Sequence, residues 1–594
     1  MTKRQNKNQI KLTGIAVSSG IAIGKVRVIE RTKARITYQY LINNDQIKQN
    51  VQRFKDALNT TENQLITLKN HMPDIIKEHG FIIDSHLMIL KDSMLTESTI
   101  NRILDEKIGA EWALKQSLEE IRQIFNQIED EYISSRINDV ENVTERILWN
   151  LSGETQESLT NIKDPVIIAA HDLSPADTTE INISKAIAFI TDMGGRTSHS
   201  AIMAQSLQIP VVVGLESATK QLKDGDLLIV NGNTGEIIVN PDNNTFIYYQ
   251  EKKKEQEEYK STITKSSHLP AITLDGHKIT VRANIEFKEE VVAIRNFTPE
   301  GIGLYRTEYL YLWNNKLPSE EELFEDYRKV TETISPAIIN IRTLDLGADK
   351  ISSNLRMPKE KNPALGLRAI RLCLKEQQIF KNQLRAIIRA SNYGRLQIIF
   401  PMISGIQEIL DIKDIITQIT EELTSKKITF DSNIKYGIMI EVPSAVIMAE
   451  DLAKHVDFFS IGTNDLIQYA LAIDRENKNV AYMYQPFHPA ILRMIHHVVK
   501  VAKDARIGVS LCGEMCGDPL CIPILLGLGL KEFSMHAMAI PLIKKIIRST
   551  SLKEATTDFD NILKLDTAKE IRLYILNRMK HLLPELQEKG YLDH

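Results

Sequence analysis

The period of the apolar positions changes several times along the chain, and each change marks a unit. Residues 10–30, IKLTGIAVSSGIAIGKVRVIE, set small and β-branched residues around Gly14, Gly20 and Gly24, a pattern of strand and turn. From 44 to 150 the spacing becomes helical, with one proline (Pro73) and two glycines (Gly80 and Gly109). Ile121, Ile124, Phe125, Ile128 and Tyr132 fall on one helical face with charged residues opposite, so an all-helical bundle is predicted there. After 150 short apolar runs return: PVIIAA, AIAFITD, IPVVVG, DLLIV and EIIVN, separated by turn residues. They resume the α/β pattern of residues 10–30, which makes the helical unit an insertion. Residues 246–262, charged and nearly free of breakers, predict a solvated linking helix.

From 270 a third rhythm sets in. ITVRANIE (279–286), GIGLYRTE (301–308), IINIRTLDLG (338–347) and LQIIFPMI (396–403) are strand-like runs, each followed by polar or glycine residues and then a helical pattern. YGIMIEVPSA (436–445), FFSIGTNDL (458–466), GVSLCGEM (508–515) and EFSMH (532–536) continue the series. Runs that alternate with helices in this way predict a (β/α)8 barrel of the TIM type, with an open doubly wound sheet as the competing architecture. The expected organisation is multidomain α/β. An α/β domain spans 1–43 and 151–245, the helical unit 44–150, the linking helix 246–269 and the barrel 270–594.

Composition narrows the class. With 594 residues the chain is long enough for several domains, and 43% hydrophobic and 25% charged residues are ordinary for a soluble protein. A net charge of −4 and a pI near 6.4 argue against nucleic acid as a partner. No apolar run approaches a membrane span, and MTKRQNKNQIKL lacks the apolar core of a signal peptide, so a cytoplasmic protein is expected. Four cysteines make no disulfide framework, and no histidine or second pair completes a zinc site around Cys512, Cys516 and Cys521.

In a barrel the catalytic face lies at the C-terminal strand ends. Arg306 and Glu308 follow the second run; Arg342, Asp345 and Asp349 the third; Glu441 the fifth; Asn464 and Asp465 the sixth; Cys512 and Glu514 the seventh. Each alone is an ordinary surface charge, but from five runs they converge on one pocket. Glu441 and Asp465 offer hard oxygen ligands suited to Mg²⁺. Arg306, Arg342 and Arg475 offer planar forks matched to carboxylate and phosphate groups. The pocket is therefore expected to bind a small polyanion with a divalent metal, with Cys512 as a nearby proton donor or an inert buried thiol. Neither GxxxxGK[ST] nor GxGxxG occurs, so phosphoryl chemistry here draws on something other than a P-loop nucleotide.

The stretch 191–214, TDMGGRTSHSAIMAQSLQIPVVVG, sets His199 before a predicted helix, where unpaired N–H groups favour an anion. A phosphorylated imidazole would suit that place. The same residues are also read as a helix cap, with His199 on the first turn.

GGRTSHSAIMA (194–204), GLYRTEYL (303–310), IGTNDLIQYALAIDR (461–475) and LCGEMCGDP (511–519) resemble the phosphoenolpyruvate-utilising enzymes. Within them the chain is similar to the Enzyme I family of phosphoenolpyruvate–protein phosphotransferases of the bacterial sugar phosphotransferase system. The similarity runs from GIAVSSGIAIGK to FSMHAMAIPLIKKIIR at 533–548. The resemblance implies a swivelling phosphohistidine domain interrupted by a helical domain that binds the carrier protein HPr, then a barrel that binds phosphoenolpyruvate, and a homodimer joined through the barrels. It implies that His199 takes the phosphoryl group and passes it to HPr, and that Thr178 hydrogen-bonds this histidine. Arg306 and Arg342 would hold the phosphate, with Arg475 and Asn464 also binding phosphoenolpyruvate. Glu441 and Asp465 would hold Mg²⁺, and Cys512 would protonate the leaving enolpyruvate.

The chain departs from the family pattern at Gln205, Ser19 and His536. A pyruvate phosphate dikinase or phosphoenolpyruvate synthase shares the histidine and barrel segments, but residues 1–150 leave too little room for its nucleotide-binding domain. A nitrogen-branch paralogue of Enzyme I and a non-catalytic regulatory scaffold are two further readings. The intact set of candidate residues speaks against the scaffold.

Overall fold

The computed structural model describes residues 9–18, 20–29, 40–70, 80–126, 131–152, 164–171, 185–194, 209–312, 317–347, 362–475, 477, 480–588 and 591–592. Thr178, His199, Gln205, Asp349 and Ser19 lie outside the described residues. The chain divides into two compact units, the sequence passing from the first to the second between Gln256 and Glu257.

In the first unit, strands β1 (Ile10–Thr13), β2 (Ile15–Ser18), β3 (Ile21–Ile29), β4 (Val166–Ala170), β5 (Ala186–Thr191), β6 (Val211–Val213), β7 (Leu227–Asn231) and β8 (Glu236–Val239) form one sheet. Its order is β1-β8-β7-β3-β4-β5-β6-β2. β3 pairs in parallel with β4 (Lys25↔Val166 to Ile29↔Ala170), so strands on either side of the helical segment lie next to each other. Helices Asn44–Asn70, Gly80–Ile89, Ser93–Asp105, Ala110–Asn126 and Glu131–Ser152 fill that segment. They pack on Phe54, Leu65, Ile103, Leu114 and Ile147, separately from the sheet core. On the predicted apolar face Ile121 is buried, while Ile128 lies outside the described residues.

The charged linking segment is helical over Asn243–Lys265. Near its start Tyr249 is buried with Ile21, Ile229 and Ile238 and donates to Glu236 at 2.7 Å. Near its end Tyr259 packs on Tyr591, their rings 5.9 Å apart.

The second unit is built on strands β9 (Thr280–Ile285), β10 (Gly301–Tyr305), β11 (Ile338–Arg342), β12 (Leu396–Phe400), β13 (Lys435–Ile440), β14 (Phe458–Ile461), β15 (Gly508–Leu511) and β16 (Glu532–His536). These are the runs read from the sequence. They pair in parallel in chain order, and β16 returns to β9 from Glu532↔Thr280 to His536↔Asn284, closing the barrel. That closure decides against the open doubly wound sheet. Strands such as β10, GIGLY, are buried throughout because a closed parallel barrel covers both of its faces. Helices such as Glu320–Ile334, opened by a Ser319–Glu322 capping box, and Gln377–Ala390 cover the outside. The loops after each strand's C-terminal end then hold the polar residues on one rim.

Candidate active site

The site is assembled strand by strand. After β10, Arg306 lies against Glu286 through its guanidinium, and its Nε is buried without a hydrogen-bond partner. At the end of β11, Arg342 donates from Nη2 to Glu308 Oε1 at 3.0 Å and pairs through Nη1 with Asp345 Oδ2 at 2.9 Å. Its Nε too is buried and unpartnered. Burial would favour deprotonation of Arg342, but Glu308, Asp345 and Glu441 around it hold the guanidinium charged. Glu308 also accepts from the Asp345 backbone N–H at 3.1 Å.

After β13, Glu441 is 2% exposed and accepts a 2.6 Å hydrogen bond from the Met402 backbone N–H. Met402 has φ of 57°, a conformation a methionine adopts only under constraint, and it aims that N–H at the carboxylate. After β14, Gly462 lets the chain pass close: a Cβ there would meet Glu441 Oε2 at 2.8 Å. Asn464 and Asp465 lie in the first turn of the helix Thr463–Leu471. Oxygens of Asp345, Glu441 and Asp465 lie within 4.8 Å of one another. Burial, and then the charges of Asp345 and Asp465, push the Glu441 carboxyl up to about 8. Hard oxygens that repel one another at this spacing, two of the three carboxylates buried, fit a small divalent cation such as Mg²⁺.

After β15, Cys512 is buried, its Sγ accepting from the Ser460 hydroxyl at 3.3 Å. Burial raises its pKa above that of a free thiol, so the sulfur keeps its proton at neutral pH. Asn464 and Glu514 bond reciprocally, Nδ2 to Oε1 at 3.0 Å and Oδ1 from the Glu514 N–H at 2.9 Å, and Arg475 lies 3.6 Å from the same Glu514. His536 ends β16, exposed.

The structure thus brings Arg342, Glu441 and Asp465 into one cluster. Arg306 stands on the adjoining strand end, and Asn464 joins Arg475 to the rim through Glu514. His199 and Thr178 lie outside the described residues. Two members were not assigned a role from sequence. Asp345, seen only as a strand-end charge, supplies the third carboxylate of the cluster. Arg368, not singled out at all, pairs with Asp345 at 2.8 Å and Asp465 at 3.4 Å and donates to the Tyr469 hydroxyl at 3.1 Å. Asp345 thereby bridges the arginines and the carboxylate cluster.

Comparison with known proteins bears on the whole chain. The PEP-utilising enzyme N-terminal family matches residues 13–136, the PEP-utilising enzyme mobile domain 162–235, and the PEP-utilising enzyme PEP-binding domain 260–552. The phosphoenolpyruvate-protein phosphotransferase of Bacillus sp. (strain S) is 41% identical over 563 residues, covering 95% of this chain and 97% of that protein. The protein of the same name from Haemophilus influenzae is 40% identical, covering 94% and 97%. That from Bacillus subtilis is 40% identical, covering 96% and 100%. A solution structure of Enzyme I is 37% identical over 41% of this chain and 99% of its own, with a TM-score of 0.37.

Proposed function

The chain belongs to the phosphoenolpyruvate-protein phosphotransferases, and from that membership we propose that His199 takes the phosphoryl group of phosphoenolpyruvate and passes it to a histidine of the carrier protein HPr. The observation that carries the barrel's part is Arg342, its side chain 12% exposed. It is clamped between Glu308 and Asp345, beside three carboxylates within 4.8 Å of one another. A fixed, always-charged fork next to a divalent-cation site suits the phosphate and carboxylate of phosphoenolpyruvate.

Arg306 and Arg342 hold the phosphate and stabilise the charge on its equatorial oxygens as the P–O bond opens. Arg475 and Asn464 orient the rest of the substrate. Glu441 and Asp465 would hold Mg²⁺, which when bound would neutralise charge on the substrate's oxygens. His199 attacks as the neutral imidazole, the majority form at pH 7 for a group whose free pKa is about 6.5. Thr178 steadies it by a hydrogen bond. The enolpyruvate that leaves needs a proton on carbon, and Cys512, buried and protonated, gives it from Sγ.

HPr docks on the helical segment, where Met88 and Met94 stand 57% and 47% exposed. The cytoplasm, expected from the sequence, is the proposed compartment. Among the described residues no helix is long and apolar enough to cross a membrane. A second copy covers Leu365, Ile447 and Tyr482, which are 67%, 74% and 76% exposed in short helical turns of the segments that follow β11, β13 and β14.

The test is incubation with ³²P-labelled phosphoenolpyruvate and Mg²⁺, wild type beside His199→Ala, with and without HPr. Acid-labile, base-stable label on wild type alone, chased onto HPr, is the expected result. No label on folded wild-type protein that binds Mg²⁺ would sink the reading.

A further inference from the structure

Helix Gln377–Ala390 packs on the barrel through Phe380, Leu384 and Ile387, all buried. Gln383 shares that apolar face and is 0% exposed. Burying a primary amide among hydrocarbon costs about 1–3 kcal/mol unless its groups are paired, so the bonds it makes are informative. Gln383 Oε1 accepts from the Leu344 backbone N–H at 2.9 Å. Its Nε2 donates to Thr307 Oγ1 at 3.0 Å and to the Tyr327 hydroxyl at 3.1 Å. Thr307 Oγ1 in turn donates to the Arg342 carbonyl oxygen at 3.0 Å. The orientation is fixed by chemistry: the Leu344 N–H only donates, and the Thr307 proton is committed to Arg342.

These bonds join two strand ends at the residues that bracket the phosphate-binding groups. Thr307 stands between Arg306 and Glu308; Leu344 stands between Arg342 and Asp345, one residue removed from the arginine. Thr307 is itself 0% exposed. The arginines' own charge partners, Glu286, Glu308 and Asp345, are substrate-sensitive, because a bound phosphate competes for the same guanidinium donors. The Gln383–Thr307 pair uses only backbone and neutral side chains, so it stays made when phosphate takes over the forks.

We propose that Gln383 is a positioning residue for phosphoryl transfer: through Thr307 and the Leu344 N–H it locks the ends of β10 and β11 in register, so that Arg306 and Arg342 meet the phosphate as one preorganised pair. This rests on the reading that those arginines hold the phosphate. Gln383 touches no substrate; its effect runs through the arginines, where a displacement of about 1 Å costs on the order of a hundredfold in rate.

The test is a double-mutant cycle in the full-length protein with Mg²⁺, phosphoenolpyruvate and HPr, using Gln383→Met, Thr307→Val and the double variant, with Arg342→Ala alongside. Each single variant is expected to lower kcat/KM for phosphoenolpyruvate about ten- to a hundredfold, mainly in kcat. The double variant should fall no further than the deeper single, because both cut the same brace. Wild-type kcat/KM in Gln383→Met with only a lowered Tm, or losses that multiply in the double variant, would overturn the proposal. If Gln383→Met does not fold, Thr307→Val alone decides: it removes the hydroxyl that joins Gln383 to the Arg342 carbonyl, and wild-type kcat/KM there overturns the proposal. Loss in Arg342→Ala with a silent Gln383→Met refutes the brace alone. No loss in Arg342→Ala refutes the phosphate-binding reading beneath it, and the proposal with it.

Discussion

A proton should leave the site when the metal enters. The carboxylate oxygens of Asp345, Glu441 and Asp465 lie within 4.8 Å of one another. At that spacing and an effective dielectric of about 20, two unit charges repel by roughly 3.5 kcal/mol, or about 2.5 pK units from a single neighbour. With burial added, Glu441 is pushed up to about 8, whereas the two arginines that face Asp345 hold its carboxyl below the usual range despite burial. In metal-free protein at pH 7 Glu441 is therefore about nine-tenths protonated, and a divalent cation must displace that proton. The apparent Kd for Mn²⁺, used as a probe, should tighten by about fiftyfold from pH 6 to pH 8 and level off above. Close to one proton should be released per ion at pH 7. Calorimetry in two buffers of different ionisation enthalpy, with paramagnetic resonance for free Mn²⁺, measures both quantities. Glu441→Gln should bind weakly and show neither effect. The same sign governs stability: the folded-state pKa lies above the unfolded one. The Glu441 contribution is thus fully present below about pH 4.5 and lost as pH rises through about 8, so the Tm of the metal-free protein should sag across that window and recover with Mg²⁺. A Kd that does not change between pH 6 and 9, with no proton released, would refute the reasoning.

Other outcomes follow from the same rim. In Gly513→Ala the new Cβ would lie 1.7 Å from Thr463 Oγ1 and 2.9 Å from the Thr463 nitrogen, at the start of the helix carrying Asn464 and Asp465. About 1–3 kcal/mol of stability should be lost, with a weaker Mn²⁺ affinity in the same titration. Cys512→Ala should leave phosphoenolpyruvate binding intact by calorimetry while phosphoryl transfer falls by about 10²- to 10⁴-fold; an unchanged rate would remove the thiol from the reaction. Arg368→Met strips a cation from Asp345 and Asp465 and should destabilise metal-free protein by about 3–5 kcal/mol. Mg²⁺ should restore more of the Tm there than it adds to wild type, and a smaller metal response would show that Arg368 does not neutralise that cluster.

What the sequence could disclose depended on how each residue announces itself. The barrel strands were legible because a parallel strand covered on both faces is a short continuous apolar run, as in GIGLY and LQIIF, whereas closure, against an open doubly wound sheet, rests on β16 pairing back to β9. Arg342 and Glu441 were legible because a charged residue at the end of such a run falls on the rim, and Asp465 because it lies in the first turn of the helix after β14. Asp345 met the same criterion, yet its role depends on Arg342, Arg368, Glu441 and Asp465 at once, and no spacing along one strand encodes that convergence. Arg368 follows no strand; it reaches the site from the helix start it precedes. Gln383 left one readable trace, a glutamine at the i+3 position from Phe380 on an otherwise apolar stripe.

That contrast has a physical basis. Groups that meet the substrate must stand where strands end, so their position along the chain betrays them. Groups that hold those strand ends in register work from behind the sheet, in apolar surroundings, and show only as a polar residue out of place in a helical pattern. Gln383 lies 76 residues from Thr307 and 39 from Leu344, and it meets both only because helix Gln377–Ala390 lies over the strands that carry them. Its amide has a donor and an acceptor to place in a dry interior, and each finds a partner fixed to a different strand end. A leucine there would fill the space and relieve the fold of a polar burden, but it would leave the Leu344 N–H unpaired and the two arginine-bearing ends free to shift against each other. The polar choice at a core position is therefore explained by what it holds still rather than by what it stabilises.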